Sequence, residues 1–234
     1  MKKLLLATTM FLALASGANA DFVLTPAQEG QSGVVDYVGI GNSALTASIT
    51  FTLQDVNAAT NTWTFGFGVD NTTASPWTSR VSTFGFNTDP TLQSAAIIAG
   101  SVFVNDSSGN VPNLGTVQFC ATSTTNCAGG GGSGVLPGDG VVSGAFTLDW
   151  ADNLLIASVA FSDLFVRFQS VGLIGGTLNG SDTGIPGPTP TPFCTTPPCT
   201  FAVPGPAVGA GLPTLIAGAF SLLGFSAWRR KRKA

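Results

Sequence analysis

The segment from Leu45 to Leu53 constrains the fold most. Leu45, Ala47, Ile49, Phe51 and Leu53 are apolar, and Thr46, Ser48, Thr50 and Thr52 alternate with them. A period of two places one set on a buried face and the other on a wet face, as in a half-buried β-strand. The pattern recurs at once. Trp63, Phe65, Phe67 and Val69 alternate with Thr64, Gly66 and Gly68. The polar link from Gln54 to Thr62 makes the two a hairpin with a longer loop.

Further strands are predicted at Val81 to Asn87, with Phe84 and Phe86 on one face, and at Ala95 to Val104. Gly115 to Ala121 places Val117 and Phe119 together. Gly144 to Trp150 aligns Phe146, Leu148 and Trp150. Leu154 to Phe161 is apolar on both faces, and Leu164 to Phe168 reads with Leu164, Val166 and Phe168 inward and Arg167 outward. No stretch here combines helix caps with a 3.6-residue period. Strands at this spacing, separated by Gly, Asn, Asp and Ser, predict an all-β fold: an antiparallel β-sandwich of jelly-roll or immunoglobulin-like type.

Both ends of the chain differ from this pattern. Lys2 and Lys3, the apolar run Leu4 to Ala15 and the small-x-small site Ala18-Asn19-Ala20 read as a secretory signal over residues 1–20, cut between Ala20 and Asp21. At the other end stands a box, Val203-Pro204-Gly205-Pro206. An uncharged stretch of 22 residues follows, Ala207 to Trp228, and then the cations Arg229, Arg230, Lys231, Arg232 and Lys233. As a helix, the uncharged stretch would run about 33 Å, close to the hydrocarbon thickness of a bilayer. The cations would stop transfer and stay in the cytoplasm. A plain single-pass membrane anchor is one reading of this tail.

Charge is partitioned accordingly. Of nine basic residues only Arg80 and Arg167 lie between the two ends, against all twelve acidic residues from Asp21 to Asp182, which leaves a net charge of −10. No basic footprint for nucleic acid exists. The sequence has no histidine, which excludes histidine-dependent triads and metal sites, and its only glutamate is Glu29. Asp149, Asp152 and Asp163 stand at turn positions, where solvated aspartates are ordinary. No cofactor motif occurs: Ala128 to Gly134 is glycine-rich but lacks the P-loop's lysine and following helix. The chain therefore reads as non-enzymatic.

The four cysteines form two local pairs, Cys120 with Cys127 and Cys194 with Cys199. Export permits a disulfide within each pair, and the spacings argue against zinc. Trp63, Trp150 and the phenylalanines read as core by their alternation, whereas Trp77, after Pro76, is a candidate exposed aromatic for carbohydrate binding. From Gly175 the composition turns to Gly, Pro, Thr and Ser, including Pro186-Gly187-Pro188-Thr189-Pro190-Thr191-Pro192, an extended spacer. The expected organisation is a signal peptide at 1–20, an ectodomain at 21–175, a spacer at 176–202 and a sorting signal at 203–234 with its transmembrane helix at 207–228.

The order of proline box, apolar helix and terminal Arg/Lys cluster resembles the PEP-CTERM sorting signal of Gram-negative bacteria. Gly205 stands where that family usually has glutamate, and Gly209-Ala210-Gly211-Leu212-Pro213 matches the run that follows the box in its VPGP-type variant. Phe165 to Gly172 is similar to a segment often found shortly before such tails. The resemblance implies an exosortase-type sorting enzyme as partner, transient anchoring in the inner membrane, and delivery to the cell surface or extracellular matrix. It also implies association with exopolysaccharide or biofilm, in a structural or adhesive role. A carbohydrate-binding surface module is the alternative.

Overall fold

In a computed structural model of the chain, residues 22–130, 132–151 and 156–187 are described. Eleven antiparallel strands lie in one sheet: β1 (Phe22–Leu24), β2 (Ser32–Gly39), β3 (Thr46–Asn57), β4 (Thr62–Asp70), β5 (Trp77–Asp89), β6 (Ser94–Gly100), β7 (Asn105–Val111), β8 (Gly115–Thr122), β9 (Val142–Asp149), β10 (Val159–Leu173) and β11 (Gly180–Pro186). The hydrogen-bonded order is β6-β9-β4-β3-β2-β11-β10-β5-β8-β7, with β1 added beside β10. The sheet curls until it is nearly barrel-shaped. Its two halves meet through a short ladder, in which Gly184, Ile185 and Pro186 face Gly39, Val38 and Tyr37.

The period-two segments form strands for the reason their sequence implies. Ala47, Ile49, Phe51 and Leu53 of β3 are buried and their neighbours are not, and Trp63, Phe65, Phe67 and Val69 of β4 face the same interior. The core is aromatic and spans the curl. Phe51 of β3 meets Phe84 of β5 with ring centroids 5.9 Å apart, Phe67 meets Phe84 at 4.9 Å, Phe65 of β4 meets Phe161 of β10 at 5.8 Å, and Phe119 of β8 meets Phe146 of β9 at 4.8 Å. Such tilted and edge-on pairs add to the area each ring buries.

Four details depart from the sequence reading. The β3–β4 loop is short, because β3 continues through a bulge between Leu53 and Asp55 to Asn57, leaving Ala58 to Asn61 as the turn. Asn61 takes φ 50, a conformation that asparagine tolerates. The run Ala95 to Val104 is not one strand: β6 ends at Gly100, and the link that follows buries Phe103 against Phe67 and Phe84. The sheet does not stop at Gly175, since β11 pairs with both β10 and β2 up to Pro186. Arg167 does not face water. It is 3% exposed, and Leu164 to Phe168 are all buried.

The last departure has a physical cause. β10 carries cover on both faces. Its inward residues join the main core, and Phe165 joins a second cluster with Val111, Val117, Cys120 and Cys127 on the outer face. The loop after β8 folds back over that face, and Val135 and Val81 exchange backbone hydrogen bonds across it.

Candidate functional site

Two constructed places stand out on this scaffold. One is a groove at the seam where the two ends of the sheet, β6 and β7, face each other. It encloses about 450 Å³ and is lined by Gln93, Ser94 and Ala95 from one side and by Asp106, Ser108 and Gln118 from the other. Side chains bridge the seam. Asp106 Oδ1 accepts the Ile97 amide at 3.2 Å. Gln118 Oε1 accepts the Leu92 amide and the Thr88 hydroxyl, both at 3.1 Å, while its Nε2 donates to Thr88 O. The Ile97 amide points away from β9, so by the alternation of an antiparallel ladder the backbone of Ala95 also faces the groove. The lining mixes the apolar Leu92, Val117 and Phe119 with polar groups, of which Gln118, Asp106 and Ser94 already bond within the protein, so a neutral hydroxylated ligand would meet Gln93, Ser108 and the strand-edge backbone beside an apolar floor.

The second place is the polar cluster under the loop after β8. Arg167 Nε and Gln169 Nε2 both donate to Ala128 O, at 3.0 and 3.1 Å. Arg167 also donates to Thr183 Oγ1, whose own hydroxyl donates to Pro112 O. Asp182 lies nearby and accepts the amides of Gly41, Asn42 and Thr183. Burial pushes the Arg167 guanidinium below its ordinary value, and the Asp182 charge opposes the shift. The Cys120–Cys127 disulfide closes the same loop, with Cα atoms 5.7 Å apart. The Arg167 Nε, Gln169 Nε2 and Thr183 hydroxyl bonds all end on groups of the protein itself, which gives the cluster a structural role.

Of the two expected disulfides, the described residues hold one, Cys120–Cys127. The second, between Cys194 and Cys199, is not part of the described structure, because Cys194 and Cys199 both lie outside the described residues. The signal cleavage site at Ala20 and Asp21, the box of Val203, Pro204, Gly205 and Pro206, and the cations Arg229, Arg230, Lys231, Arg232 and Lys233 lie outside them too. Trp77 is half-buried against the core, and Trp63 and Trp150 are buried. The large exposed apolar side chains among the described residues are aliphatic, Ile98, Val104 and Val141 among them, so these residues carry no row of exposed aromatics. No group of three or more potential metal ligands occurs among the described residues. Sequence reading missed Arg167 and Asp182 as buried polar residues. The available signal was a lone cation inside an unbroken apolar run. Comparison with protein-family models, curated proteins and solved structures finds no match.

Proposed function

We propose that this chain is an exported, exosortase-processed protein of the cell surface or extracellular matrix, non-enzymatic, with a structural or adhesive role beside exopolysaccharide. The observation that carries the reading is the tail: a Val203–Pro206 box, an uncharged stretch of bilayer length and five terminal cations, in that order. The charge partition and the leader-like residues 1–20 support export. The missing histidine and the single glutamate support a role without catalysis.

The jelly-roll or immunoglobulin-like sandwich is the finer fold proposed. The rings that meet across the curl support it, since strands β6-β9-β4-β3-β2 then form one layer and β11-β10-β5-β8-β7 the other. The polar seam groove is the surface proposed to meet the polymer. Its chemistry fits sugar hydroxyls better than an aromatic platform would fit this surface.

Intact-mass measurement of surface-extracted protein tests the sorting. The expected product begins at Asp21 and lacks the residues after the box. A mass that includes Trp228 and the basic cluster overturns sorting and leaves a plain single-pass anchor. Retention of the exported protein on extracted exopolysaccharide tests the partner separately.

A further inference from the structure

The seam groove holds a strand edge whose backbone is unpaired. Gln93 N donates to Asp149 O at 2.9 Å, while Trp150 N donates to Asn61 O on the opposite, β4 side of β9. The backbone of Asp149 therefore faces β6. By the alternation of an antiparallel ladder, Asp149 and Thr147 bond with Ser94 and Ala96, and the backbone of Ala95 and Ile97 faces the groove. Asp106 Oδ1 takes the Ile97 amide at 3.2 Å. No ladder joins β6 to β7, so among the described residues the N–H and C=O of Ala95 have no ladder partner. The groove, at about 450 Å³, lies within the ~300–1,000 Å³ usual for ligand sites.

Around that edge the groups sort by chemistry. Leu92 and Ala95 are half-buried apolar groups, with Val117 and Phe119 behind them. The Gln93 and Ser108 side chains are exposed at the rim. Among the described residues the lining has one ionisable group, Asp106. The ectodomain's two cations lie elsewhere, Arg167 under the loop after β8 and Arg80 on β5. Such a site repels a polyanion, and an ammonium would lose hydration against Leu92. An acetamido group meets each demand. Its C=O and N–H can pair with the N–H and C=O of one edge residue, as an added strand would, and its methyl enters the apolar side. Ring hydroxyls then reach Gln93 and Ser108. We propose that the seam groove recognises the N-acetyl group of an uncharged amino-sugar polymer, with the Ala95 backbone as its specificity determinant. The inference rests on the groove being the polymer-facing surface and names the class of that polymer.

The same groups discriminate against other polymers. A glucose polymer puts one hydroxyl where the acetamide would lie. That hydroxyl serves one of the two Ala95 backbone groups and leaves the other covered and unpaired, which lowers affinity. It also brings no methyl to Leu92. A uronic acid polymer brings carboxylates toward Asp106. Proline at position 95 probes the edge directly, because it deletes the groove-facing N–H alone. An edge strand tolerates proline where the N–H points away from its neighbour.

Calorimetric titration of the full chain, in a detergent without a sugar headgroup, tests this with soluble oligomers of matched length: N-acetylglucosamine, glucosamine, glucose and a uronic acid. The acetylated oligomer is expected to bind ~10-fold or more tightly than the glucose oligomer, a preference that A95P removes. S108W, which fills the groove from its rim, is expected to abolish binding. Equal affinity for the acetylated and glucose oligomers, both lost in S108W, overturns the inference and leaves the groove as the polymer-facing surface. A groove-dependent preference for glucosamine or uronate overturns it as well, as does an acetyl preference that A95P retains. Binding that S108W leaves unchanged, or no binding of any oligomer, overturns the inference and the groove's role together. Should A95P lack a cooperative urea transition, L92T replaces it: a reduced acetyl preference supports the inference, and an unchanged one overturns it.

Discussion

Arg167 is a cation that its own strand forbids from reaching water, since β10 is covered on both faces. The guanidinium can bridge Ala128 O and Thr183 Oγ1 together because its donors form a rigid fork. Removing it leaves the buried Asp182 carboxylate without a cation, although three backbone amides still serve that group. Desolvation of the arginine works in the other direction, so the net cost is moderate. Arg167→Met is expected to lower stability by about 1–3 kcal/mol. Arg167→Lys should fall in the same range, because an ammonium cannot span both acceptors. Urea midpoints at equal slope check this, and parent-like midpoints for both variants would count against a bridging role.

At the scale of elements, glycines inside strands separate into two kinds by what stands over them. A Cβ at Gly85 of β5 would lie 2.1 Å from Phe119 O and 2.8 Å from Phe165 Cε1, so backbone of β8 and a packed ring occupy its place. A Cβ at Gly66 of β4 would instead meet Gln54 Nε2 at 2.5 Å, the far end of a flexible side chain on the outer face. Gly85→Ala is therefore expected to destabilise by about 2 kcal/mol or more, since overpacked strands must shift. Gly66→Ala should be neutral or stabilising by up to about 1 kcal/mol, as glutamine swings away and alanine gives up less backbone freedom on folding. Thermal unfolding of the two variants side by side decides the matter: equal losses would refute the distinction.

For the whole molecule, cohesion rests on rings that bridge the curl. Phe146 of β9 touches Phe65 and Phe67 in its own half and Phe84, Phe86 and Phe119 in the other. The β2–β11 ladder is too short to hold the halves together by itself. Phe146→Ala is expected to cost about 3–5 kcal/mol, the loss from opening a cavity at a fully buried ring. Both halves should still unfold in one step, because neither has another partner for its inner face. Tryptophan emission of a W77F/W228F variant, which leaves Trp63 and Trp150 on one side of the curl, and amide exchange of Phe165 to Phe168 on the other should report the same denaturation midpoint. Two separated midpoints would mean that the halves are independent units.

The sequence by itself determined the strands whose two faces differ. β3, β4, β5, β8 and β9 each have one wet and one buried side somewhere along their length, and a period of two records that difference locally. The Cys120–Cys127 bridge was legible for the same reason, since seven residues of separation bring the sulfurs within reach. Tertiary structure alone decided the rest. β7, Asn105 to Val111, is almost wholly polar and pairs because β8 offers it an edge. β11 has the composition of a spacer and is a strand because β10 and β2 leave a slot for it. The seam groove exists only where β6 and β7, close in sequence but at opposite ends of the sheet order, are brought face to face. Arg167 is buried because a loop some forty residues earlier folds over its strand. Alternation tells a residue which face it occupies. What covers that face is settled by non-local pairing, which no local pattern encodes.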